Sequence, residues 1–219
     1  MAKKAWKRVM IKLSGEALMG SGAHGLDEAT LARIANDIKS AARGGAQIAI
    51  VVGGGNFFRG IAGAEKGIDR ARADSIGMLA TIMNGLALEH AIEKAGQPAR
   101  TLSAVPVPYV CQPYSRQAAL NHMNKGRVAV LSGGTGNPFF TTDTAAALRA
   151  VEMNCQALLK ATQVDGVYDA DPKKNPGAKR YDRLTFDKVI ADNLQVMDTA
   201  AIALARENKL PIEIGRAHV

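Results

Sequence analysis

Three times along this chain a short apolar run empties into glycines: VMIKLSGE at Val9–Glu16, IAIVVGGGN at Ile48–Asn56 and VAVLSGGTGNPFFTTDTAA at Val128–Ala146. A strand that ends in a glycine turn and feeds a helix restricts the fold to repeated βα units. Such a turn lets backbone approach a ligand closely, and the next helix aims its unpaired N–H groups and positive dipole end at an anion. Glycine is also the ordinary turn residue of any βα connection. The third run exceeds that need, because GGTGNPFFTTD gathers glycines, an Asn, three Thr and an Asp in one connection. The pattern predicts a site for more than one phosphate group on a parallel sheet.

The rest of the chain alternates in the same way. Strand Arg8–Leu13 leads through a glycine-rich loop to a helix from about Asp27 to Arg43, where Leu31, Ile34 and Ile38 recur at helical spacing and Gly44–Gly45 stops it. Strand Gln47–Val52, a long helix Arg70–Lys94, strand Ala99–Ser103, an irregular proline-containing stretch to Cys111, a helix near Ser115–Asn124 and strand Arg127–Leu131 follow. Helix Thr142–Glu152, strand Ala157–Lys160, a polar loop Thr162–Arg183, short helices around Asp187–Ile190 and Thr199–Glu207 and a last apolar LPI complete the series. Alternation of this kind predicts an α/β fold with a mainly parallel sheet and helices on both faces.

Composition narrows the function. With 219 residues and 47% hydrophobic content the chain can bury one α/β core, so a single domain is expected. No apolar run approaches a membrane span, and MAKKAWKRVM lacks the apolar core of a signal peptide, which predicts a cytoplasmic protein without a membrane partner. Cys111 and Cys155 form no CxxC and the four His are scattered, so neither a disulfide framework nor a zinc site is supported. The net charge of +8 concentrates at Lys3–Arg8 and Lys173–Arg183, but without a nucleic-acid motif these read as solvated faces. They can still steer a small polyanion.

Among nucleotide folds, the absence of GxxxxGK[ST] excludes a P-loop. One GxGxxG occurs, Gly20-Ser21-Gly22-Ala23-His24-Gly25, but Ser14–Met19 separate it from the strand that a dinucleotide fingerprint must follow directly. It reads as a mobile surface loop.

Taken in order, MIKLSGEAL, VVGGGNFFRG, GMLATIMNGLAL, LSGGTGNPFFTTDTAAALRA, LLKATQVDGVYDADP and VMDTAA…LARENKLPI resemble the bacterial uridylate kinase family of the amino acid kinase superfamily, from about Lys7 to Ile212. KLSGE and VDGVYDADP are shared with carboxylate-acting relatives, whereas GGGNFFRG with GTGNPFFTTD is much more specific to the uridylate enzymes. The resemblance implies a three-layer sandwich and transfer of the ATP γ-phosphoryl group to UMP, with Mg²⁺, in pyrimidine nucleotide biosynthesis. Phosphoryl transfer itself asks for cations on the moving group, backbone donors to both phosphate chains and an acidic organiser, with no covalent nucleophile.

By the same resemblance Lys12 and Lys160 are the catalytic cations and Asp143 the acidic organiser that orients the two lysines or the metal. Lys12, Leu13, Ser14, Gly15, Gly55, Arg59, Thr162, Tyr168 and Asp171 fall to ATP; Arg59 suits a phosphate clamp, since a guanidinium meets phosphate oxygens in a fork. Gly54, Asp74, Thr135, Gly136, Asn137, Pro138, Phe139, Phe140, Thr141 and Thr142 fall to UMP. Gly20–Gly25 corresponds to the segment tied to activation by GTP; UTP inhibition and a homohexamer, with helix Arg70–Lys94 at an interface, are implied as well. Two alternatives stay open: a non-catalytic oxyanion-binding or storage protein of the same fold, and a carboxylate or carbamate kinase relative. Lys12, Lys160 and Asp143 together favour an enzyme, and the Thr-rich GTGNPFFTTD favours a nucleotide acceptor.

The C-terminus departs from the pattern. Family members continue past KLPI through another strand and beyond, which closes the sheet edge. Here Glu213–Val219, EIGRAHV, matches the translation of a common sequencing adapter, so the domain is expected to span 1–212 and these residues to form a non-native tail.

Overall fold

The computed structural model describes residues 6–58, 67–162, 165–170, 174–175, 177–194 and 196–216. Strands β1 (Arg8–Leu13), β2 (Gln47–Val52), β3 (Ala99–Ser103), β4 (Gln112–Pro113), β5 (Val128–Ser132), β6 (Ala157–Thr162) and β9 (Ile212–Arg216) form one sheet in the order β4-β3-β5-β2-β1-β6-β9. Every pairing in it is parallel. A parallel sheet is covered on both faces, which is why its strands read as unbroken apolar runs.

The period of two sorts these runs into two cores. Met10, Ala49, Val51, Leu131 and Leu158 face one side, where α3 (Arg116–Asn124), α4 (Thr142–Glu152), α5 (Phe186–Ala191) and α6 (Thr199–Glu207) pack through Met123, Ala146, Val189 and Ile202. Val9, Leu13, Ile48, Ile50, Val52 and Val130 face the other, under α1 (Glu28–Arg43) and α2 (Arg70–Lys94) with their Leu31, Ile34, Ile38, Leu88 and Ile92. The three-layer arrangement expected from the resemblance is present.

Local chemistry sets the helix ends. Asp27 caps α1 by accepting from the Thr30 N–H at 2.7 Å, and Gly45, at φ 88°, lets the chain leave it. The 25 residues of α2 satisfy the length and hydropathy of a membrane span, contrary to the expectation that no run does. Leu88 and Ile92 are nevertheless fully buried against the sheet, as in a core helix. Burial pushes the Cys155 thiol up to about 12, the behaviour of an inert packing cysteine.

Sequence and structure differ where elements are too short to show a period. β4 has two residues, and the polar stretch read as a loop carries an antiparallel hairpin of β7 (Val167–Tyr168) and β8 (Arg180–Tyr181). β6 runs two residues past Lys160, to Thr162. At the sheet edge β9 pairs with β6 from Leu158↔Ile212 to Thr162↔Arg216, so Glu213–Arg216 of the segment read as a tail take part in a strand.

Candidate active site

Ligands of open α/β sheets bind beyond the carboxyl ends of the strands, where the order of connections reverses. Here β2 lies on one side of β1 and β6 on the other, so the crevice falls at the end of β1. Lys12 and Lys160 occupy neighbouring strands in direct register. The period of two puts both on the face of Met10 and Leu158, the face that α4 covers.

Thr141 caps α4 by accepting from the N–H groups of Asp143 and Thr144, which puts Asp143 in the first helical turn. Its carboxylate bridges the lysines: Lys12 Nζ lies 2.8 Å from Oδ1 and Lys160 Nζ 2.7 Å from Oδ2. Lys160 also donates to the Val196 carbonyl. The three side chains are only 9%, 14% and 13% exposed for Lys12, Lys160 and Asp143. Burial lowers the Lys160 pKa from the ordinary 10.5, and the neighbouring Asp143 opposes that shift. One carboxylate against two ammonium groups, at a helix N-terminus, leaves a shielded positive site matched to phosphate oxygens.

Asp198, which the sequence reading does not single out, supports this corner. It accepts from the Thr141 hydroxyl, from the Thr144 hydroxyl at 2.6 Å and from the Ala201 N–H at 3.0 Å. Burial pushes its carboxyl pKa up, but these donors outweigh it and hold the group below the usual carboxylate range. Its signal was the Asp of VMDTAA, an N-cap residue directly before Thr199, which opens α6.

The first two glycine turns press against one another at the carboxyl ends of β1 and β2. A Cβ on Gly15 would lie 2.7 Å from the Gly55 N and 3.0 Å from the Gly53 O, so the β1 and β2 turns touch backbone to backbone. A Cβ on Gly54 would lie 2.8 Å from the Gly77 O of α2. Ser14 caps the short 3-10 turn Gly15–Leu18, while the Leu13 side chain points into the α1/α2 core and leaves only its backbone to the site.

In the third turn Gly133, Gly134 and Gly136 hold φ of 77°, 59° and 81°, and the Thr135 hydroxyl accepts from the Asn137 N–H at 3.1 Å. Asn137, Phe139, Phe140 and Thr141 are exposed, and Pro138 and Thr142 are half-buried. Phe139 has a left-handed φ of 70° and donates its N–H to Asp74 Oδ2 at 2.8 Å, which brings Asp74 from α2 onto this loop. Arg70 holds the same carboxylate at 2.9 Å and lies over the Phe139 ring.

On the other side of Lys160, Thr162 ends β6, and Tyr168 in β7 donates its hydroxyl to Asp165 at 2.7 Å. The hairpin borders a cleft of about 650 Å³ lined by Val167, Tyr181, Phe186, Val196, Ile212 and Ile214, within the size range of ligand pockets. Arg59 and Asp171 lie outside the described residues. The Gly20–Gly25 loop is at the surface; Gly25 is tied to Asn56 by N–H donation to its carbonyl at 3.0 Å and acceptance from its amide at 2.8 Å.

Comparison with known proteins agrees with this fold. Residues 7–216 match the amino acid kinase family. The uridylate kinase of Paramagnetospirillum magneticum is 57% identical over 97% of this chain and 89% of that protein. That of Azorhizobium caulinodans is 59% identical over 94% of this chain and 87% of its own length. The crystal structure of UMP kinase from Bacillus anthracis superposes with a TM-score of 0.94 at 42% identity, covering 98% of this chain and 88% of the other. The chain belongs to the amino acid kinase family and, within it, to the uridylate kinases.

Proposed function

We propose that the Lys12–Asp143–Lys160 bridge is the phosphoryl-transfer centre of this kinase; the single carboxylate set between two shielded lysines is the observation that carries the reading. The protein is a nucleoside monophosphate kinase that moves the ATP γ-phosphoryl group to UMP, yielding UDP and ADP. A phosphate oxygen of UMP attacks the γ-phosphorus while the bond to the ADP oxygen breaks, and charge spreads over the equatorial oxygens. Lys12 and Lys160 meet that charge, and Asp143 holds both ammonium groups in place without itself accepting a proton.

The N–H groups of Gly15, Gly54 and Gly55 bind the phosphate chains between the two nucleotides, with Ser14 and the Leu13 backbone beside them. UMP lies along Thr135–Thr142 with Asp74 at its sugar. ATP reaches past Thr162 to the cleft beside Tyr168, with Arg59 and Asp171 as further contacts. Asp143 is engaged by two lysines and Asp198 by two threonines. A Mg²⁺ ion, which neutralises phosphate charge, therefore fits here as a companion of the ATP oxygens and not in a protein cage.

ADP release from ATP and Mg²⁺ against UMP, CMP, AMP, GMP and acidic amino acids tests the reaction. Turnover confined to UMP is expected; phosphorylation of an amino acid and not UMP overturns the reading. Adding GTP and UTP to that assay tests activation through Gly20–Gly25 and inhibition, and an unchanged rate removes both. An exposed apolar stripe on α2, Ile76, Leu79 and Met83, supports a homo-oligomer, a homohexamer by family resemblance, and sedimentation as a monomer removes it. Its nucleotide substrates suit a cytoplasmic enzyme, a placement that fractionation with membranes would contradict.

The lowered pKa of Lys160 has a kinetic consequence. The lysine works only when charged, so the alkaline limb of kcat/KM, which reports the free enzyme, falls at a pH below the ordinary 10.5 of lysine. Bound phosphates favour the charged form and move the limb of kcat upward. Identical limbs at or above 10.5 in both profiles would exclude a titrating Lys160.

A further inference from the structure

The motif GMLATIMNGLAL lies in α2 and touches neither the lysines nor the acceptor loop's exposed face, yet its polar residues are buried at 3% for Thr81 and 0% for Asn84. A buried hydroxyl or amide inside a helix demands partners. Both find them in the glycine turns. Thr81 Oγ1 accepts the Gly133 N–H at 2.7 Å and donates to the Met78 carbonyl of its own helix at 2.7 Å. Asn84 donates to the Gly53 carbonyl at 2.7 Å and exchanges amide hydrogen bonds with Asn56 at 2.7 and 3.0 Å.

The surroundings leave these contacts no slack. A Cβ on Gly85 would lie 2.1 Å from Ser132 Oγ, so the backbone of α2 is pressed against the end of β5. A Cβ on Gly133 would meet the Val105 N at 2.8 Å, and Gly133 itself holds a φ of 77°. The first residue of the acceptor turn is therefore fixed on one side by packing and on the other by a single hydroxyl. One helix thus clamps two turns, with a separate side chain for each.

We infer that Thr81 is a positioning residue for the acceptor nucleotide, acting through the Gly133 N–H, and that Asn84 is its counterpart for the phosphate turn Gly53–Gly55. The inference rests on the assignment of Thr135–Thr142, the loop that Gly133 opens, to UMP and of Gly54 and Gly55, which follow Gly53, to the phosphates of both nucleotides. It makes the two side chains separable. Losing the Thr81 acceptor frees the turn on the UMP side only, whereas losing Asn84 loosens a turn that both substrates share. A residue that merely holds the fold would lower the active fraction and leave both KM values alone.

The test is steady-state kinetics of the full chain carrying Thr81→Val, Thr81→Ser and Asn84→Ser, with thermal melts alongside. T81V keeps the shape and removes the acceptor; it should raise KM for UMP by about tenfold with KM for ATP within about twofold, and T81S should restore the wild-type value. N84S should raise both KM values together. If T81V does not fold, Thr81→Cys, with a weaker acceptor of similar size, should show the same one-sided shift at smaller amplitude. Unchanged KM values with a lower melting temperature, or equal shifts for both substrates in the Thr81 variants, overturn the inference while the kinase reading stands. A wild-type chain that neither binds UMP in calorimetry nor phosphorylates it overturns the kinase reading, and this inference with it.

Discussion

Replacing Lys12 with Ala should lower kcat for UMP by about 100- to 1,000-fold, the range found when one preorganised donor to a developing charge is removed. Lys12 is buried on β1 and its ammonium sits 2.8 Å from Asp143, so solvent entering the gap would not replace a fixed positive charge at that point. The loss should appear in kcat more than in KM, because the glycine turns proposed to bind the phosphates stay in place. Stability should change little: Asp143 keeps Lys160 at 2.7 Å and is not left as an unpaired buried charge. Lys12→Arg should recover only a small part of the rate, since a planar guanidinium does not fit the compact space of an ammonium between β1 and α4. A K12A enzyme with near-normal kcat would take Lys12 out of the mechanism.

The same contrast shows what a sequence of this type discloses. Strands β1, β2 and β5 were legible because each is an apolar run that ends in glycine, and α1 because Leu31, Ile34 and Ile38 keep helical spacing. The direct register of Lys12 with Lys160 was not, since it depends on which strands become neighbours, and β1 and β6 are separated by most of the chain. Asp143 was placed in the site by resemblance, but its division between two lysines is a product of that register and of the Thr141 cap. Asp198, Thr81 and Asn84 escaped residue-level reading for a related reason. Each looks like a cap or a helix-face polar residue until long-range packing reveals its partners. The hairpin β7–β8 has strands of two residues, too short for a period to be visible at all.

Asp143→Asn carries the other large effect, and it differs in kind from the loss of either lysine. It leaves two ammonium groups facing each other on adjacent strands, both buried, with no anion between them. Burial already lowers the Lys160 pKa and Asp143 is the main influence opposing it, so its removal lowers that pKa further. The sign with pH then follows. A lysine whose folded pKa lies below its unfolded value penalises the folded state while it is charged, and the penalty is relieved as pH rises through the folded pKa toward the unfolded one. D143N should therefore be destabilised at neutral pH and regain stability on the alkaline side, where wild type gains less. Its alkaline limb of kcat/KM should move to lower pH, and kcat at neutral pH should fall by about 100-fold or more as the ammonium groups lose their fixed positions. Adding Lys12→Ala to D143N removes the repulsion, so the double variant should melt higher than D143N alone and lose less activity than the two single losses multiplied together. Melting temperature against pH for the four proteins reads the electrostatics independently of turnover. A D143N melt that runs parallel to wild type at every pH would show that the carboxylate does not hold the lysines, and the bridge would then be no more than packing.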